Sequence, residues 1–548
     1  MLPQLIASSL SAPSSDVVAS LPSYGTPPTP QWSGYLDAGN GTNLHYYLAS
    51  AEGPTPFASK PLVLWLNGGP GSSSLLGMMQ VHRATRRAIR RNSLTAHTRH
   101  LQELGPLLMN ATGGLMENPY AWTKLANVVA LESPAGVGFS YCTKNGAATN
   151  ECANTDKTTA ADARRALVDF FSKFPELVSA PFFITGESYG GVYVPTLAKE
   201  VLDHTTINLH GVYVGDPCTD NAAQKDSMDM LWYGHKYGFV PEADFDLLWN
   251  KCGRRHAHPL SAGEWRGRTP VRRASSSSSS SPACDAAYRR FLASTSRGFS
   301  QGWSHAYIND VSLYGYSALV SWDAVGSENW HQKQYLQRED VKAALHVEAS
   351  PATAWPGPPN GWEYTSSYDA CNAAAAPGSP SMVDFYREIA PKLRKTVVFN
   401  GDTDPCVSYE GTRDAIYSVG FAEVDGGSYR PWFFNATAAT YQVLWEKDNL
   451  FGPDLTLRGA GVQFGGHVVN FEHNLSFATV HGSGHMVPQF RPRASLHMIE
   501  KLVALAPLAP PLAGAAKLAN MSEGEFDSYL DAWTVGAQAA PYVVEGRP

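Results

Sequence analysis

Residues 181–185 (PFFIT) form a short apolar run that stops at Gly186-Glu187-Ser188-Tyr189-Gly190, and Val194, Leu197, Ala198 and Val201 follow at helical spacing. The run has the length of a buried strand, and the spacing after it is that of one helix face. Small residues on both sides of Ser188 permit a strained strand-to-helix turn, which lifts the serine hydroxyl above the sheet. A Gly-Ser turn also arises by chance, so the pentapeptide takes its meaning from the strand before it and the helix after it. Ser188 is the candidate nucleophile.

The same grammar recurs at residues 61–66 (PLVLWL), 127–131, 211–215 and 396–400, alternating with helical stretches at 159–174 and 192–204. Continuous apolar strands alternating with helices predict an α/β fold with a doubly wound, mostly parallel sheet. Between about residues 220 and 378 the rhythm is lost, and a serine homopolymer at 275–281 has no side chains able to form a core. The chain therefore divides into an N-terminal segment (1–30), a first core half (31–219), an inserted cap (220–378, low complexity at 253–283), a second core half (379–506) and a loosely attached C-terminal extension (507–548).

A serine hydroxyl needs a base to take its proton, and the base needs an acid to hold its tautomer. When the nucleophile sits on such an elbow, these partners come later in the chain, acid first and histidine last. Gly401-Asp402-Thr403-Asp404 follows the strand TVVFN, and Gly482-Ser483-Gly484-His485 follows FATV, so both fall at the carboxyl ends of strands. Asp404 is the expected orienter and His485 the expected base. Asp402, His481 and His473 compete for these roles.

Five motifs now stand in order: Asn67-Gly-Gly-Pro-Gly71, residues 132–141 (ESPAGVGFSY), residues 186–191 (GESYGG), residues 401–404 (GDTD) and residues 484–488 (GHMVP). Together they resemble the serine carboxypeptidase family, the carboxypeptidase Y and cathepsin A type, from about residue 32 to 505. The resemblance implies an α/β-hydrolase fold and a serine-type carboxypeptidase that releases C-terminal residues through an acyl-enzyme at acidic pH. It implies no metal and no organic cofactor. It places the oxyanion hole at the N–H groups of Gly69 and Tyr189. Recognition of the substrate carboxylate falls to Trp65, Asn67, Gly68, Glu103 and Glu187. Two neighbouring glutamates cannot both ionise easily, so at least one keeps a proton and donates it to the substrate carboxylate. Without the resemblance, Glu187 reads as a solvated elbow residue and Glu103 as a surface acid. An acyltransferase on the same scaffold and a weakly active or noncatalytic stabilising homologue are the alternatives. His100 and Glu103 also have the spacing of a zinc pair, but no third ligand accompanies them.

The chain departs from the family pattern in places. Ser72 stands where a cysteine is usual, whose partner falls near Cys371, so Cys371 is expected to be the odd thiol among seven cysteines. Cys252 and Cys284 resemble a family cap-loop disulfide, and Cys142 and Cys152 are close enough in sequence to bridge. Residues 81–102 hold six arginines and no acid, and removing them restores the family spacing between Gln80 and Glu103.

Charge and targeting add constraints. With 42 basic and 49 acidic residues the net charge is −7, which gives no general reason to bind nucleic acid. The apolar stretch 502–516 is short and broken by Pro507, Pro510 and Pro511, so no membrane span is expected. Acceptor tripeptides at Asn40, Asn110, Asn435, Asn474 and Asn520 fit a glycoprotein of the secretory pathway, vacuolar, lysosomal or extracellular, although residues 1–16 lack a basic signal-peptide start. The partners expected are peptide or protein C-termini as substrate, with homodimerisation left open.

Overall fold

The computed structural model describes residues 12–79, 82–84, 98–100, 104–109, 114–256, 281–295, 332–353, 355, 358–359, 361–373, 375–404, 406–436 and 461–539. Among the described residues ten strands build one sheet: β1 (Gln31–Asp37), β2 (Asn43–Ala49), β3 (Leu62–Leu66), β4 (Asn127–Leu131), β5 (Phe182–Glu187), β6 (Leu209–Gly215), β7 (Lys395–Gly401), β8 (Arg430–Ala436), β9 (Gly461–Asn470) and β10 (Leu475–Val480). Their order is β1-β2-β4-β3-β5-β6-β7-β10-β9-β8. The six strands from β4 to β10 in that order run parallel, and antiparallel pairs finish both edges. This is a mostly parallel, doubly wound α/β sheet, as the strand grammar predicts.

The apolar strands lack polar alternation because both faces are covered. In β3, Leu62, Leu64 and Leu66 join a core with α1 (Asp156–Lys173) and α2 (Gly190–His204), whereas Val63 and Trp65 point into the opposite core with α3 (Pro492–Val503). Thr155 starts α1 with a capping box, its hydroxyl accepting from Thr158 N–H. Outside these two cores, Met230, Leu231, Tyr233, Phe245, Trp249 and Phe291 form a separate apolar cluster.

The structure changes two expectations. Cys371 is bonded to Cys218, with Cα atoms 4.9 Å apart, and so is not the odd thiol. The segment carrying Cys371 is held beside residue 218 by Asn221, whose N–H donates to Asp369 O and whose Oδ1 accepts from Asn372 N–H. Cys142–Cys152 and Cys252–Cys284 are also bonded, and Cys406 is the cysteine outside the bridges. The described part of the stretch after residue 507, which runs to residue 539, is tied down and partly helical, not loose. Arg430 donates to Pro510 O and Ala509 O, Trp533 Nε1 donates to Pro511 O, and Ala515–Ala519 and Glu523–Ala539 are helices.

Candidate active site

Directly after β5, Ser188 takes φ 62°, a left-handed conformation rare for a residue with a side chain. Holding it there costs about 1–3 kcal/mol. Three backbone hydrogen bonds fix the turn: Ser188 N–H to Gly215 O at 3.0 Å, Gly191 N–H to Ser188 O at 2.8 Å and Cys218 N–H to Ser188 O at 3.0 Å. The flanking glycines are demanded by close approach. A Cβ on Gly186 would lie 2.6 Å from Leu66 O, and one on Gly191 would lie 2.4 Å from Cys218 O.

The loop after β3 presses against this elbow. A Cβ on Gly68 would stand 2.3 Å from the Tyr189 nitrogen, so glycine keeps the space before that amide open. Gly69 has φ 117°, and Ser72 N–H donates to Gly68 O at 3.0 Å. Tyr189 is anchored at its other end, where the hydroxyl donates to Asp156 Oδ1 at 2.8 Å and meets Ser366 Oγ at 2.6 Å.

Two Asp–His pairs lie across the loops after β7 and β10. His485 Nδ1 is 2.7 Å from Asp404 Oδ2, both side chains buried. Cys406 N–H and Val407 N–H donate to the same carboxylate at 2.8 and 3.1 Å. His481 Nδ1 is 2.8 Å from Asp402 Oδ2, but its side chain is 51% exposed. His473 lies on a turn beside Phe421, away from both pairs. The acid loop is steadied from the segment 230–237, where Tyr233 donates to Thr403 O at 2.8 Å and Tyr237 to Asp402 O at 2.5 Å.

Trp65, Asn67 and Glu187 form one buried chain. Trp65 Nε1 and Gly77 N–H donate to Asn67 Oδ1 at 2.7 and 3.2 Å, which turns the Asn67 amide nitrogen to Glu187 Oε1 at 3.4 Å. Glu187 is 4% exposed, so it is not a solvated elbow residue. Glu103 lies outside the described residues, as does the side chain of His100, its companion in the zinc spacing. Its neighbour Leu104 donates its N–H to Gly77 O at 3.0 Å, so described residues on the two sides of 81–102 are in contact.

The serine carboxypeptidase profile matches residues 22–83 and 93–504. The chain belongs to the serine carboxypeptidase family. It is a serine-type carboxypeptidase, a hydrolase. The break in the match falls inside the arginine-rich insert. Among its relatives, Serine carboxypeptidase ctsa-4.1 of Caenorhabditis elegans is 30% identical over 503 residues, 89% of this chain and 93% of the relative. Serine carboxypeptidase-like 21 of Arabidopsis thaliana is 28% identical over 90% of this chain and 95% of its own length. The Lysosomal protective protein of Mus musculus is 26% identical over 90% and 94%. The crystal structure of Kex1(delta)p, a prohormone-processing carboxypeptidase from Saccharomyces cerevisiae, aligns with TM-score 0.58 at 18% identity, covering 87% of this chain and 91% of that one. That likeness shows the fold, the α/β-hydrolase fold.

One residue escaped the sequence reading. Asp216, the first residue after β6, is fully buried, and its ligand-capable atom lies within 4.8 Å of those of Asp404 and His485. The available signal was an acid directly after an apolar strand, the grammar that picks out residues 401–404. Among the acceptor tripeptides, Asn40, Asn474 and Asn520 are exposed, Asn435 is half-buried with its Oδ1 enclosed, and Asn110 lies outside the described residues. No helix among the described residues is long and apolar enough to cross a membrane.

Proposed function

We propose that the chain releases single residues from free peptide C-termini through an acyl-Ser188 intermediate at acidic pH. The observation that carries this is the buried Asp404–His485 pair after β7 and β10, on the same parallel sheet and at the same strand ends as the Ser188 elbow after β5. With Nδ1 held by Asp404, His485 presents Nε2 as the atom that takes the Ser188 proton and returns it to the leaving amine. The N–H groups of Gly69 and Tyr189 receive the negative oxygen of the tetrahedral intermediate, and water then releases the acyl group. Trp65, Asn67, Gly68 and Glu187, with Glu103, hold the terminal carboxylate. Three disulfides and exposed acceptor asparagines support a secretory route.

The test compares a free-acid peptide with its C-terminal amide, following single-residue release by mass spectrometry. The free acid is preferred at low pH, and its KM rises as pH climbs and the glutamate pair loses its proton. Glu187→Gln donates a hydrogen bond at any pH, so it flattens that rise. A hydrogen bond to a charged group is worth about 1.5–3 kcal/mol, so Glu187→Ala raises KM about 10- to 100-fold. Equal rates on acid and amide, or an unchanged KM profile in Glu187→Gln, would exclude the clamp.

The insert gives a separate prediction. Because Gly77 and Leu104 meet, deleting residues 81–102 joins two stretches that already lie side by side, and loop length itself costs little. Six arginines in the 22 residues that precede Glu103 in the sequence would, wherever they approach it, favour its ionised form and oppose proton sharing with Glu187. The deletion therefore raises kcat/KM on free-acid peptides at acidic pH and leaves hydrolysis of a small ester nearly unchanged. Equal peptide activity in both chains would make the insert an inert loop.

A further inference from the structure

Asp216 has no assigned task in this mechanism, yet it occupies the centre of the site. Its N–H donates to Phe399 O at 2.7 Å, which seats it between β6 and β7. Its Oδ1 accepts from Gly401 N–H at 2.9 Å and from Asn400 Nδ2 at 3.4 Å. Its Oδ2 is buried with no hydrogen-bond partner among the described residues. The titratable groups around it are Asp404, His485, Glu187 and Tyr213; the one lysine whose charge reaches Asp404 among the described residues, Lys236, is itself paired with Glu410 Oε2 at 3.2 Å. Asp404 has the better claim to a negative charge, since it accepts two backbone N–H groups and faces His485.

We propose that Asp216 is a positioning residue, a neutral carboxylic acid whose proton is shared with the Asp404 carboxylate and keeps that carboxylate aligned on His485. The balance is simple: one proton and one negative charge serve two carboxyl groups, and no other reactant is needed. Two buried carboxylates at this separation cannot both be ionised without a cation. Burial first, and then the charges of Asp404 and Glu187, hold the Asp216 carboxyl well above the usual carboxylate range. The proposal rests on Ser188, Asp404 and His485 acting as the triad, so its test includes readouts that do not require activity.

Asparagine is the informative replacement, because its amide also donates a hydrogen bond but never ionises. Asp216→Ala lowers kcat on a small ester about 10- to 100-fold with little change in KM, the value of a lost hydrogen bond to a charged group, and Asp216→Asn restores most of it. Above the pH where Asp216 ionises, wild-type kcat/KM falls and that of Asp216→Asn does not. Two further measurements are independent of catalysis. At neutral pH the infrared carbonyl band of a protonated carboxylic acid is present in wild type and in Ser188→Ala, and is lost in Asp216→Asn. The folded chain keeps a proton that the unfolded chain releases, so stability falls as pH rises above the ordinary Asp range, up to the folded value. Asp216→Asn removes that slope. Should Asp216→Ala fail to fold, the asparagine variant and the infrared band still decide. An absent band, or identical pH slopes in wild type and Asp216→Asn, overturns the proposal. Loss of all Ser188-dependent ester hydrolysis in wild type would instead overturn the triad on which it rests.

Discussion

Ser188→Ala will lower kcat on any substrate by about 10⁶ and abolish labelling by a fluorophosphonate probe. The magnitude reflects a group that acts as a unit: without the hydroxyl, the His485–Asp404 pair has no proton to take. Alanine is the right substitution because it keeps the Cβ. Ser188 sits at φ 62°, so glycine would relieve backbone strain and change stability together with chemistry. Alanine pays the same conformational cost, and its thermal unfolding should match wild type. A residual rate above that in water is expected from the N–H groups of Gly69 and Tyr189, which the substitution does not touch. Undiminished labelling of Ser188→Ala would remove the serine from its assigned role.

The parallel centre of the sheet was legible because each strand there must be apolar on both faces. Residues 127–131 coincide with a strand, 211–215 and 396–400 lie inside observed strands only slightly longer, and 181–185 overlaps Phe182–Glu187 in all but its first residue. The edge strands were not read. Gly461–Asn470 mixes Gly, Gln, His and Asn with valine, and its outer half is half-exposed, so it carries no continuous apolar signal. The turn residues were legible because backbone approach leaves no room for a Cβ at Gly68, Gly186 or Gly191. Disulfide partners were less so. Cys218 and Cys371 are 153 residues apart, and what brings them together is the Asn221 contact with residues 369–372, which has no local pattern. Asp216 shows the same limit. Its residue type is visible in the sequence, but its distance from Asp404 is created by the pairing of β6 with β7.

Asp404→Asn will lower kcat by about 10⁴ while Asp402→Asn stays within about threefold of wild type, and this contrast decides between the two Asp–His pairs. At Asp404 all three bonds converge on acceptors: Cys406 N–H on Oδ1, and Val407 N–H with His485 Nδ1 on Oδ2. An asparagine there must turn its NH₂ toward one of these donors. If it faces His485, the imidazole accepts at Nδ1 and carries its proton on Nε2, the tautomer unable to take a proton from Ser188. If it faces the backbone, two N–H groups collide and the loop after β7 shifts. Either outcome removes the base without removing the histidine. At Asp402 the carboxylate accepts from Gly482 N–H at 2.7 Å and pairs with a half-exposed His481, where water can replace what asparagine loses. An exposed pair of this kind contributes about 0–1 kcal/mol, too little to alter turnover through the neighbouring loop. Turnover measured on a small ester, which needs no carboxylate clamp, isolates the effect. A large loss in Asp402→Asn with Asp404→Asn near wild type would transfer the triad to Asp402 and His481.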